Sequence, residues 1–357
     1  MTHADAILLL QRLIATPSLS RDEAATATII ADFLAEQGVA VNRLLNNVWA
    51  ISDNFDPSRP TLLLNSHHDT VKPSPAYTRP PFEPQIDGSR LYGLGSNDAG
   101  GSVVTLITVF CNLRSASLPV NIVLAISAEE EVTGEGGIRA LLAHWQEIGL
   151  HIDMALVGEP TGMNGAVGER GLVVLDGVST GRGGHAARTE GDNALYHAID
   201  DICRLRTFQF PEASTLLGPI KVTVTQIEAG RQHNVIPEEC RFVVDVRTTD
   251  AYTNEQTVEM LRAAVSSRTV LTPRSTRIRA SALSGEHPLA LTAQSLGRHI
   301  FVSPTTSDMA VMPHIPSLKM GPGDSARSHT ADEYIGIDEI SQAINIYTEF
   351  IKNIQLK

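Results

Sequence analysis

Apolar residues recur at helical spacing over residues 4–14 and again over 22–37, where Gly38 stands at the place of a C-terminal cap. Short apolar runs follow at Val48–Ser52, Thr61–Asn65, Asn121–Ser127 and Met154–Val157. Between the middle two lies a helical stretch, Ser102–Leu113, with the look of a buried element. A further helix is expected from about Gly137 to Glu147. Alternation of buried strands with helices predicts an α/β domain, its sheet mostly parallel and its helices on both faces. Ligands of such sheets gather beyond the carboxyl ends of the strands.

The rhythm changes near residue 170. Gly171–Thr180 alternates as a strand, Asn193–Phe208 reads as a helix, and strands are expected at Ile220–Glu228 and Arg241–Arg247. A helix over Asn254–Ser267 and a strand at Thr276–Ser281 complete a βαββαβ order, the ferredoxin-like α+β arrangement. The expected organisation is thus a larger α/β domain over 1–169 and 283–357, interrupted by an inserted domain over 170–282. The chain ends in an amphipathic helix, Asp338–Ile354.

Composition narrows the class. A chain of 357 residues is long enough for about two domains at roughly 150 residues each. Hydrophobic content of 42% and charged content of 19% fit a globular protein and exclude disordered and fibrous classes. The net charge of −12 argues against nucleic acid as a partner. No apolar run is long enough to cross a membrane. Acidic Asp5 precedes the first apolar stretch, which reads as a helix and not a signal peptide. Three scattered cysteines (Cys111, Cys203, Cys240) fit reduced thiols, so the expected location is the cytoplasm.

Candidate chemistry sits at the strand ends. Thr61–Asn65 runs into Ser66-His67-His68-Asp69, where an imidazole is followed two residues on by a carboxylate that could hold its other ring N–H. Taken alone, that is equally a polar turn. Asp98 lies among glycines in front of a helix, where it could simply be an N-cap. Asn121–Ser127 ends in Glu129-Glu130-Glu131, either a solvated acidic loop or carboxylates whose repulsion cations offset. Met154–Val157 ends in Gly158-Glu159-Pro160-Thr161, and His329 lies near the far end, ahead of Asp332-Glu333-Tyr334. Together, imidazoles and carboxylates without cysteine suit zinc, cobalt or manganese. More than four candidate ligands point to two divalent ions sharing one activated water.

The series His67-x-Asp69, Asp98, Glu130-Glu131, Gly158-Glu159-Pro160-Thr161 and His329 resembles the M20 metallopeptidases. Within them it is similar to the branch of acetylornithine deacetylase and succinyl-diaminopimelate desuccinylase. The resemblance implies one metal site completed by His67 and Glu159, another by Glu131 and His329, and Asp98 bridging the two. It implies that Asp69 orients His67, that Glu130 is the general base and then acid, and that the Asp98–Ala99 peptide is cis. The inserted unit resembles that family's dimerisation or lid domain. His185, in Gly184-His185-Ala186, matches the histidine that reaches the partner subunit's site, which implies a homodimer. Asn234 and Arg247 match residues that hold the substrate carboxylate, with Arg170 and Thr306 as further candidates for that pocket.

Two departures stand out. Ser66 replaces a common glycine before the first metal histidine, and Ala99-Gly100-Gly101-Ser102 follows the bridging aspartate where a lysine and two glycines are common. The implied reaction is hydrolysis of the amide bond of a small N-acyl amino acid. N-acetylornithine is the first expectation, with N-succinylornithine or N-acetylcitrulline beside it, in arginine biosynthesis. Succinyl-diaminopimelate desuccinylation in lysine biosynthesis, an M20 dipeptidase and a non-catalytic metal-site scaffold are the alternatives.

Overall fold

A computed structural model describes residues 1–356. Chain contacts divide it into two compact units. The first comprises 1–168, 283–303 and 307–357, and the second 169–282 and 304–306.

The first unit is built on a sheet in which the Asn121–Ser127, Thr61–His67, Met154–Val157 and Ser317–Lys319 strands lie side by side and parallel. Antiparallel strands extend it at both sides: Asn47–Ile51 and Asn42–Leu44 at one, Gly165–Glu169 at the other. The strand Asn121–Ser127 is buried along its whole length, as a run covered on both faces must be. Its alternate residues serve different layers. Ile122, Leu124 and Ile126 join Leu62, Leu64 and Leu156 in a core with the helices His3–Ile14, Ala24–Glu36, Gly101–Leu113 and Ile337–Lys352. Val123 and Ala125 join Leu63, Ala155 and Val157 against Ile138, Leu141 and Trp145 of the helix Ile138–Glu147. Helices therefore cover both faces.

Local chemistry fixes where the first helix starts. Thr2 and Asp5 form a capping box, the Thr2 N–H donating to Asp5 Oδ2 at 2.7 Å and the Asp5 N–H to Thr2 Oγ1 at 3.3 Å. Among the described residues, no helix is long and apolar enough to cross a membrane.

The second unit carries a four-stranded antiparallel sheet in the order Lys221–Ala229, Glu239–Thr248, Gly171–Thr180, Thr269–Pro273. The helices Ala194–Thr207 and Asn254–Ala264 supply Ala194, Ala198, Leu205, Val258 and Leu261 to its core. This is the expected βαββαβ order with one correction. The last strand is Thr269–Pro273, not Thr276–Ser281, and the preceding helix stops at Ala264. Leu271 is the inward residue of that strand and packs in the core, whereas Ile278 makes an isolated bridge to Leu172. Of the predicted segment only its last residue, Ser281, lies in a strand, the two-residue Ser281–Ala282.

Candidate metal centre

The acidic and imidazole residues singled out in the first unit lie at strand ends or in the turns and loops that follow them. His67 is the last residue of its strand and is buried. Its Nδ1 is 3.0 Å from the main-chain oxygen of Asp69 and 3.4 Å from that residue's Oδ1, so the other nitrogen is turned outward. That Nε2 faces Asp98 Oδ1 at 3.2 Å, Glu159 Oε1 at 3.6 Å and Glu130 Oε2 at 3.9 Å. Asp98 turns its second oxygen, Oδ2, to His329 Nε2 at 3.6 Å. His329 in turn lies 3.0 Å from Glu131. One carboxylate thus stands between two imidazoles, and ligand atoms of His67, Asp98 and Glu131 all lie within 4.8 Å of one another.

The loops that carry these groups are held by buried carboxylates. Asp69 accepts the N–H groups of Glu130 at 3.0 Å and Glu131 at 3.2 Å, and the Ser20 hydroxyl at 2.7 Å. It therefore steers the acidic turn as well as His67. Glu333 accepts from Gly95, Asn97 and Asp98. Glycine is required at 95, where φ is +73° and a Cβ would lie 2.5 Å from Thr70 Cγ2. The Asp98–Ala99 peptide is cis. Asp308 accepts the Ser127 hydroxyl at 2.6 Å behind the acidic turn.

Sequence reasoning gave no role to Glu333, Ser20 or Asp308. The signal for Glu333 was faint: an acid two residues before the apolar Ile335, in the segment that follows His329. His68, between two site residues, faces away, its ring nitrogens 2.9 Å from Thr26 Oγ1 and from the Asn46 carbonyl oxygen. The departure at Ser66 is accommodated by Gly158. Ser66 Oγ donates to the Gly158 carbonyl at 2.8 Å, and a Cβ on Gly158 would crowd Ser66 and Ser102.

Burial and mutual repulsion of carboxylates dominate the electrostatics of the cluster. Burial, with repulsion from Glu159, Asp308 and Glu131, outweighs the attraction of His67 and raises the Glu130 carboxyl well above the usual range. Burial pushes Glu159 up to about 8, with Asp98 and Glu131 adding to it against His67 and Lys319. Burial disfavours charge on His67, yet hydrogen bonds to Asp69 and Asp98 reverse this and hold the imidazole well above its ordinary value. The hydrogen bond to Glu131 lifts His329 to about 9. Close-set buried carboxylates disfavour one another's charge, and cations bound among them would offset that. Oxygen and imidazole donors converging on one point, with no thiol among them, fit divalent ions such as zinc, cobalt or manganese.

The other predicted site residues belong to the second unit. His185 pairs with Val235, and the Ala186 N–H donates to the Asn234 carbonyl at 3.0 Å, so His185 and Asn234 are neighbours. Both are exposed. Arg247 forms a two-pronged pair with Asp245 on its own strand, at 2.8 and 3.1 Å. Arg170 donates to the carbonyls of Pro219, at 2.8 Å, and Leu217. Thr306 is exposed in the short 304–306 segment.

The profile of Peptidase family M20/M25/M40 matches residues 63–353. Succinyl-diaminopimelate desuccinylase of Rhizorhabdus wittichii is 27% identical over 98% of both chains. Among solved structures, aminopeptidase PepT of Bacillus cereus superposes with a TM-score of 0.79 at 17% identity, covering 99% of each chain. The YXEP protein of Bacillus subtilis, described as a dinuclear metal binding peptidase, gives 0.74 at 17% identity over 98% of this chain and 97% of that one. The family match spans most of the sequence and both halves of the acidic cluster: the chain belongs to Peptidase family M20/M25/M40, and it is a metallohydrolase of amide bonds.

Proposed function

We propose that this protein hydrolyses the amide bond of a small N-acyl amino acid, and that the acyl group is succinyl. The observation that carries the reaction is the Asp98 carboxylate set between His67 and His329, with Glu130 beside them. The relatives bear the name of a desuccinylase, which favours a succinylated substrate such as succinyl-diaminopimelate over the acetylornithine expected first.

His67, Asp98 and Glu159 would hold one divalent ion, and Asp98, Glu131 and His329 a second. Bound there, such ions supply a water of lowered pKa and polarise the substrate carbonyl. Glu130, whose Oε2 lies 3.9 Å from His67 Nε2, takes the proton of the attacking water and delivers that proton to the departing amine. Asp69 keeps Glu130 and Glu131 in register by holding their amides. In the second unit, His185 is assigned to the oxyanion of a partner subunit, and Asn234 and Arg247 to the substrate carboxylate. Arg247 would share its guanidinium between Asp245 and that carboxylate. Arg170 and Thr306 are weaker members of the same pocket, since Arg170 is already spent on two carbonyls. The unit would also make the homodimer.

The test is a side-by-side assay of succinylated and acetylated diaminopimelate, ornithine and citrulline with the zinc-loaded protein. Release of succinate from one or more of them is expected. Hydrolysis of acetylated substrates alone would reverse the choice of acyl group, and no hydrolysis of any would reject the reaction.

A further inference from the structure

A cavity of about 250 Å³ opens beside the cluster, walled by Lys72, Ser74, Tyr77, Leu94, His329 and Thr330. One wall is the loop that leaves the His67 strand, and the other is the segment that carries His329. Asp332 staples them together. It accepts the N–H groups of Thr78 and Arg79, each at 2.9 Å, and the Thr78 hydroxyl at 2.5 Å. The Leu94 N–H closes the same corner by donating to the Pro81 carbonyl at 2.8 Å. The cavity is therefore a built feature and not a gap between loose loops.

Two arginines on the same segments, outside the cavity's lining, are engaged elsewhere: Arg79 with Asp87 at 2.8 Å and over the Tyr92 ring, and Arg327 with Glu339 at 2.7 Å. Lys72 has no hydrogen bond or ion pair among the described residues, although it shares the wall with His329. The Tyr77 hydroxyl is enclosed and finds no acceptor for its proton. A cavity that offers an unneutralised ammonium next to a ligand-bearing loop is suited to an anion joined to the reacting amide by a short chain. A succinyl group has that form, with its free carboxylate two methylene groups from the scissile carbonyl. Lys72 would give that carboxylate a counter-charge of its own, apart from the groups assigned to the reaction.

We propose that this cavity receives the carboxylate end of the acyl group, with Lys72 as its counter-charge, and that Lys72 makes the enzyme selective for succinyl over acetyl amides. The proposal rests on the reaction proposed above and adds the residue that recognises the acyl group.

The experiment compares kcat/KM for the N-succinyl and N-acetyl forms of one amino acid in wild type, K72M and K72R. A charged hydrogen bond of ordinary strength predicts that the succinyl-to-acetyl ratio falls about tenfold or more in K72M, mainly through KM for the succinyl form. K72R, which keeps the charge, restores much of the ratio. Inhibition by free succinate weakens in K72M in parallel. An unchanged ratio in K72M, or equal losses on both acyl groups, overturns the role of Lys72 while the hydrolytic reading stands. Failure of the wild type to hydrolyse either form overturns both.

Discussion

The main-chain N–H of Asp98 points at Oε1 of Glu333, 2.9 Å away, across 235 residues of sequence. The same buried carboxylate takes the Asn97 N–H at 2.8 Å and, on its other oxygen, the Gly95 N–H at 2.9 Å. Three donors converging on one acceptor fix the loop and, with it, the direction in which the Asp98 carboxylate is presented to both imidazoles.

Removing that acceptor should therefore be felt at the metals. E333A leaves three amides without their partner and is expected to weaken zinc affinity about 10- to 100-fold, the usual cost of losing an outer partner of a metal ligand. Competition with a chromophoric chelator measures this. Unchanged affinity in a folded E333A would show that the loop holds its shape without Glu333.

Asp69 joins two halves of the site in the same way. It lies behind His67 and also holds the amides of Glu130 and Glu131. An asparagine there keeps one acceptor oxygen and adds a donor where donors already converge. D69N is expected to lower kcat about 10- to 100-fold with a smaller effect on KM. Steady-state kinetics at saturating zinc decide it, and a change confined to KM would contradict the assignment.

Stripping divalent ions leaves the carboxylates of Asp98, Glu130, Glu131 and Glu159 facing one another beside two imidazoles. Chelator-treated protein is expected to lose hydrolysis and to melt at a lower temperature. Zinc returned at about 100 times its dissociation constant should restore ~2.7 kcal/mol of stability. Calorimetric melting with and without zinc tests this, and coincident curves would contradict it.

These relationships also show what the sequence could reveal. The strand Asn121–Ser127 was legible because it is covered on both faces, and the ligands were legible because they follow such strands directly. Glu333 was not. Its role depends on the amides of a loop far away in the chain, and a carboxylate bound to backbone leaves no pairwise pattern of side chains. Asp308 is similar, meeting Ser127 across 181 residues. The strand Thr269–Pro273 was missed because its inward face rests on Leu271, while the arginine-rich segment after it alternates almost as well.

The second unit offers a separate test of stability. Burial opposes charge on Asp201, but Thr269, Ser266 and Arg204 outweigh it and hold the carboxyl below its ordinary value. The Ser266 N–H and hydroxyl lie at 2.9 and 2.7 Å, and Arg204 at 2.8 Å. D201N is expected to cost about 2 kcal/mol at neutral pH. Because the folded carboxyl titrates below the unfolded one, the wild-type advantage is full above about pH 4 and shrinks as pH falls through the folded value. Denaturant melts of both proteins from pH 7 to pH 3 would show it. An advantage that grew on acidification would contradict the sign.

The most direct test of the central claim is the hydrolysis rate of E130A at full zinc loading. With the ligands untouched and the proton carrier gone, the rate is expected to fall about 10²- to 10⁴-fold. A loaded E130A that turns over at the wild-type rate would contradict the account.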